Sequence, residues 1–123
     1  MITADELRRA ALSLPEAEER ETWGHPTFRV RDKLFATLSD DSRSAGLKTT
    51  KEEQTALVEA APATFGVPAY VGRHGWVSGE LATADPAEVH ELVTGAWGQT
   101  APRRLVAAYD AEHPAVSDRG PGS

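Results

Sequence analysis

The chain has 123 residues, 40% hydrophobic and 26% charged: the length of one ordinary domain, with enough apolar material for a core, which excludes disorder throughout. A formal net charge of -6 weighs against indiscriminate binding to nucleic acid or to an anionic membrane, but leaves room for a local basic face. The absence of cysteine excludes disulfides, thiolate metal sites and cysteine nucleophiles.

Thr3-Ala4-Asp5-Glu6 has the spacing of a capping box, and Leu7, Ala10, Ala11 and Leu14 then recur at helical intervals before Pro15. An amphipathic helix over 4–14 is expected. The acidic stretch EAEERETWGHP follows as a turn-rich connection. Phe28 and Val30 then alternate with Arg29 and Arg31, the pattern of a half-buried strand. Arg31-Asp32-Lys33 is the expected turn, Leu34 to Leu38 a second strand, and Ala45 to Lys48 a short third one. These three make an antiparallel meander.

Thr50-Lys51-Glu52-Glu53 repeats the capping-box spacing and opens a helix to about Ala60, with Leu57 and Val58 inward. Tyr70-Val71 and Trp76-Val77 are strand-like and flank a GRHG turn, either as two strands or as one bent strand. Asp85-Pro86-Ala87-Glu88 combines an N-cap with a proline at the first helical position. The helix it starts carries an apolar stripe of Val89, Leu92, Val93, Ala96 and Trp97, and Gly98 is its expected end. A shorter helix over 101–110 follows. The expected division is one domain over 1–111 and a flexible C-terminal tail over 112–123. Helices at both ends with a meander between them predict an α+β fold, an antiparallel sheet with helices packed on one face. No apolar run approaches the ~18 residues of a membrane span and no signal-peptide pattern is present, so a cytoplasmic protein without a membrane partner is expected.

Several segments in order resemble the MmcQ/YjbR family: Leu14-Pro15-Glu16 with Glu18-Glu19, Trp23-Gly24-His25-Pro26-Thr27-Phe28-Arg29-Val30, Lys33-Leu34-Phe35-Ala36, Leu47-Lys48 before a capped helix, and Arg73-His74-Gly75-Trp76-Val77. The likeness spans roughly residues 3–110 and rests on order and spacing rather than on one motif. It implies a CyaY-like (frataxin-like) fold in a bacterial protein. Members of the family are often described as DNA-binding proteins with a double-wing motif. The first wing would then be the hairpin around Arg29, Arg31 and Lys33, and the second the turn around Arg73 and His74.

Charge is unevenly spread: residues 27–51 hold six cations against three acids, whereas residues 1–21 hold six acids against three cations. The meander is therefore the basic part of an acidic chain. If its apolar face packs on helices, Arg29 and Arg31 face solvent together, where two guanidiniums with Arg73 nearby suit phosphates or a carboxylate. The bland alternative is a solvated sheet face with local salt bridges. Trp23, His25, Tyr70 and Trp76 are candidates to line a pocket between sheet and helices for a small anionic ligand, as in an accessory or resistance protein. A third reading follows from the frataxin-like resemblance alone, with Glu16, Glu18, Glu19 and Glu21 as a weak metal site. The histidines lack metal-ligand spacing, and neither a nucleophile elbow nor an identifiable acid–base pair is present. A non-enzymatic binding module without a cofactor is the expectation, with DNA as first partner.

Overall fold

The computed structural model describes residues 1–22, 24–69 and 71–113. Trp23, Tyr70 and most of the expected tail, residues 114–123, lie outside them. In chain order the elements are α1 (Ala4–Leu12), β1 (Ala17–Thr22), β2 (His25–Val30), β3 (Lys33–Leu38), β4 (Ser44–Lys48), α2 (Lys51–Ala60), β5 (Phe65–Gly66), a single 3-10 turn (Gly72–His74), β6 (Trp76–Glu80), α3 (Pro86–Thr100) and α4 (Arg103–Glu112). The strands form one six-stranded antiparallel sheet in the order β1-β2-β3-β4-β6-β5. The α+β fold with helices on one face of an antiparallel sheet is the architecture expected from the sequence.

The helix starts are set by local chemistry. Thr3 Oγ1 accepts from the Glu6 backbone N–H at 3.1 Å, and the Glu6 carboxylate accepts from the Thr3 N–H at 2.8 Å, which completes the capping box. Thr50 and Asp85 accept in the same way from Glu53 and Glu88. Helix α3 runs past Gly98 to Thr100, because the backbone that cannot continue it is the Ala101-Pro102 pair, not the glycine. Pro102 is the N-cap of α4, which extends to Glu112, two residues beyond the expected end of the helix.

The core lies between one face of the sheet and helices α1 and α3. Val89, Leu92, Val93, Ala96 and Trp97 are all buried, as the periodicity predicts, and they meet Phe28, Val30, Ala36, Leu38, Leu47 and Val77 from the sheet. The Trp97 indole is 1% exposed and its Nε1–H donates to Pro15 O at 3.0 Å, so α3 is fastened to the α1–β1 connection.

Two features differ from the sequence reading. The acidic stretch Ala17–Thr22 is a strand, paired in register with β2 from Ala17↔Val30 to Thr22↔His25. It shows no apolar alternation because it is an edge strand with most of its side chains in solvent. The second is an irregularity between β2 and β3: Phe28 pairs with Ala36 but Arg29 pairs with Leu34, so Phe35 is an extra residue. Such a bulge lets consecutive side chains depart from strict alternation. Phe35 and Ala36 are both fully buried, and Leu34 is released to the opposite face beside Arg29.

Candidate functional site

The face of the sheet turned away from α1 and α3 carries the remaining chemistry. Register assigns to it Glu18, Arg20 and Thr22 of β1, His25, Thr27 and Arg29 of β2, Leu34 and Thr37 of β3, Ser44, Gly46 and Lys48 of β4, and Trp76, Ser78 and Glu80 of β6, with Glu18 directly opposite Arg29. Its rim at one end is the loop 67–75, which carries the Gly72–His74 turn and leads directly into β6.

The β2–β3 hairpin turns on two residues. Val30 pairs with Lys33, and Arg31 and Asp32 between them have φ of 52° and 68°. Positive φ at both central residues is the type I′ geometry that matches strand twist. Neither residue is a glycine or asparagine, and both are tied by ion pairs: Arg31 to Glu16 through Nε and Nη2, the latter at 3.1 Å, and Asp32 to Arg20. The Arg31 guanidinium holds the Glu16 carboxyl below its ordinary range, chiefly through the hydrogen bond.

The arginines of this region therefore divide. Arg31 was expected to share a strand face with Arg29; instead it sits in the turn and reaches back to Glu16, because β2 ends at Val30. Arg29 stays on the open face. Its Nη1 donates to Asp32 O at 3.3 Å and its Nη2 to Thr22 Oγ1 at 3.5 Å, both long bonds, and its buried Nε has no partner among the described residues. Among the described residues no carboxylate pairs with Arg29, Lys33, Lys48 or Arg73, whereas Arg8, Arg20 and Arg31 are each paired. Lys48 faces Trp76 directly across β4 and β6.

Arg73 and His74 are exposed on the 3-10 turn, with Arg73 Nε 3.4 Å from His74 Nε2. The segment is not a hairpin tip: β5 has only two residues, and the chain enters β6 from the helical turn. The turn is fixed from behind by buried Gln54, whose Nε2 donates to Gly72 O at 2.7 Å and to Trp76 O at 2.5 Å, and by Thr49, whose N–H donates to Gly75 O at 3.1 Å.

A pocket between sheet and helices was expected, but that side is occupied by the core, and the hollows of the sheet open on its other face. One, of about 150 Å³, is lined by Leu34, Thr37, Gly46, Pro68, Val71 and Trp76. A second, of about 420 Å³, adjoins it through Thr37, Gly46 and Pro68 and continues over His25, Ser39, Asp40, Ser44 and Ser78. Of the four residues expected to line a ligand pocket, His25 and Trp76 thus border adjoining hollows, and Trp23 and Tyr70 lie outside the described residues. Among the described residues no group of three or more histidine or acidic side chains is placed to hold a metal ion, and Glu16 and Glu19 are engaged by Arg31 and Arg8. No helix of the described residues is long and apolar enough to cross a membrane.

A six-stranded antiparallel sheet, covered by helices on one face and open on the other, defines a CyaY-like α+β domain. The YjbR family model matches residues 12–99, and the chain belongs to that family. The crystal structure of Deinococcus radiodurans protein DR2400 is similar to it with a TM-score of 0.76 and 22% identity, covering 100% of this chain and 96% of that one. At that identity the likeness is one of fold. No curated protein matches the chain.

Proposed function

We propose that the chain is a non-enzymatic binding module that meets the phosphate backbone of DNA with the open face of its sheet and the turns that border it, through Arg29 and Lys48 on the face, Lys33 at the end of the β2–β3 hairpin, and Arg73 and His74 on the 3-10 turn. The observation that carries this reading is that Arg29, Lys48 and Arg73, on the open face and its rim, lack a carboxylate partner among the described residues, whereas Arg20 on the same face, with Arg8 and Arg31, is neutralised within the fold. A cation without an internal partner keeps its attraction for an external anion, and a local basic surface can act within a chain of net charge -6. Arg31, held by Glu16, has the smaller part in this reading.

Fluorescence anisotropy of a labelled duplex at about 50 and 200 mM salt tests it, since each neutralised phosphate steepens the log–log salt dependence by about 0.9. Arg29→Ala/Lys48→Ala/Arg73→Ala should weaken binding and flatten that slope, and Arg31→Ala should change it less. No binding at low salt removes the proposal. A second reading, a small anionic ligand on the same face, is favoured by the adjoining hollows beside His25 and Trp76. Thermal-shift measurements with mononucleotides and small carboxylates address it.

A further inference from the structure

The hollow beside Trp76 is apolar, which phosphate contacts alone do not call for. Leu34, Pro68, Val71 and Trp76 supply its walls, and Thr37 its one polar side chain. Its floor exists because position 46 has no side chain: a Cβ there would lie 2.7 Å from Thr37 Oγ1 and 3.7 Å from the Trp76 ring. Leu34 reaches this face only through the bulge at Phe35. The rim is apolar as well, with Val67 59% and Val71 41% exposed, two of the few large hydrophobic side chains so exposed among the described residues. Apolar surface held open to water in this way has a cost that a partner would relieve.

Cations without a carboxylate partner among the described residues stand next to the walls of the hollow. Arg29 is the register partner of Leu34, Lys48 is the register partner of Trp76, and Arg73 lies three residues before Trp76, on the 3-10 turn. An apolar, partly aromatic recess fringed by positive charge is complementary to a flat apolar ring carried on an anionic chain. In a duplex each base is stacked and paired, so its ring faces are unavailable to such a recess. In a single strand they are available, and stacking on protein side chains together with backbone neutralisation is how such strands are held.

We infer that the Trp76 hollow takes an unpaired base, so that the open face prefers single-stranded to duplex nucleic acid. This rests on the reading above that the face binds a nucleic-acid backbone.

The test is anisotropy of the full chain with three labelled ligands of equal strand length: a mixed-sequence single strand, the same strand with abasic sugars, and the duplex. The abasic strand keeps the phosphates and removes the rings. Val71→Glu is measured alongside, with Val71→Ile as the conservative control. Val71 is exposed, so both should fold, and circular dichroism confirms it. Stacking of one base corresponds to about tenfold in affinity. The base-bearing strand should therefore bind about tenfold more tightly than the abasic strand, and more tightly than the duplex. Val71→Glu should abolish that difference, while Val71→Ile should preserve it. Equal affinity for all three ligands, unchanged in Val71→Glu, overturns the inference and leaves the phosphate reading standing. If none binds, both fall. A free mononucleotide that binds as tightly as the strand overturns the claim for strands and supports the small-ligand reading.

Discussion

Replacing Gly75 by alanine should be among the more costly single-atom additions to this protein, and a second glycine supplies the control. Gly75 has φ of 92°, and a Cβ there would lie 2.4 Å from Thr49 O and 3.2 Å from the Thr50 carbonyl carbon. These are backbone atoms at the junction of β4 and α2, which cannot turn aside as a side chain would. Gly24 has φ of 84°, and no described atom lies within 4 Å of its Cβ position. Both alanine variants bear the left-handed penalty of about 1–2 kcal/mol, and both gain from a stiffer unfolded chain by about 0.4–1 kcal/mol. Those contributions cancel in the comparison. What remains for Gly75→Ala is the overlap, which by the usual cost of overpacking is about 1–3 kcal/mol. In a domain of this size that corresponds to a melting temperature lower than that of Gly24→Ala by roughly 4–12 °C. Thermal unfolding followed by circular dichroism reads the difference directly. If the two variants melt together, the Thr49–Gly75 junction yields easily and the argument for a rigidly held Arg73–His74 turn is wrong.

Gln54→Leu preserves volume but removes the amide that donates to Trp76 O and to Gly72 O, of which Gly72 O keeps the Gly75 N–H at 3.0 Å. A buried carbonyl without a partner costs about 1–3 kcal/mol, so the urea midpoint should fall markedly, and a near-neutral result would mean that other donors replace the amide. The acid limb of stability should depend on Glu16. Glu6, Glu16 and Asp41 all have carboxyls held below their ordinary values, by the Thr3 backbone N–H, by Arg31 and by Ser39 respectively. A carboxyl depressed in the folded state stabilises above its unfolded pKa, and that contribution disappears as pH falls through the folded value. The protein should therefore lose stability on acidification below about 4.5, the ordinary glutamate value. Glu16→Gln should show a shallower acid limb, and an unchanged limb would mean that the exposed Glu16–Arg31 pair carries no pH-linked stability.

Much of this fold is legible in the sequence where one short-range rule suffices. The caps at Thr3, Thr50 and Asp85 need only local spacing, and the α3 stripe from Val89 to Trp97 needs only a helical period. Strand β1 escapes such reading because AEERET has no apolar face, and its conformation is supplied by the ladder with β2. The bulge at Phe35 is equally silent, since LF followed by A fits a regular strand as well as an irregular one. That single inserted residue decides which face Leu34 joins, and with it the composition of the candidate site. Lys48 was within reach: alternation in Ala45-Gly46-Leu47-Lys48 already puts it on the face opposite Leu47. The fate of Arg31 was not, because it depends on Glu16, fifteen residues away in sequence.

The two ends of the strand order have a consequence for how this protein can be approached. A sheet edge ordinarily invites another strand to add to it, from a peptide or from a second copy. Here β1 closes one side with Glu18, Glu19, Arg20 and Glu21 in succession, a row of charge that an incoming strand would have to leave hydrated. On the other side β5 offers two residues, too few to template a ladder. Lateral growth is thus discouraged at both borders. A visitor to the sheet must land on it broadside, where the cations and the Trp76 recess lie.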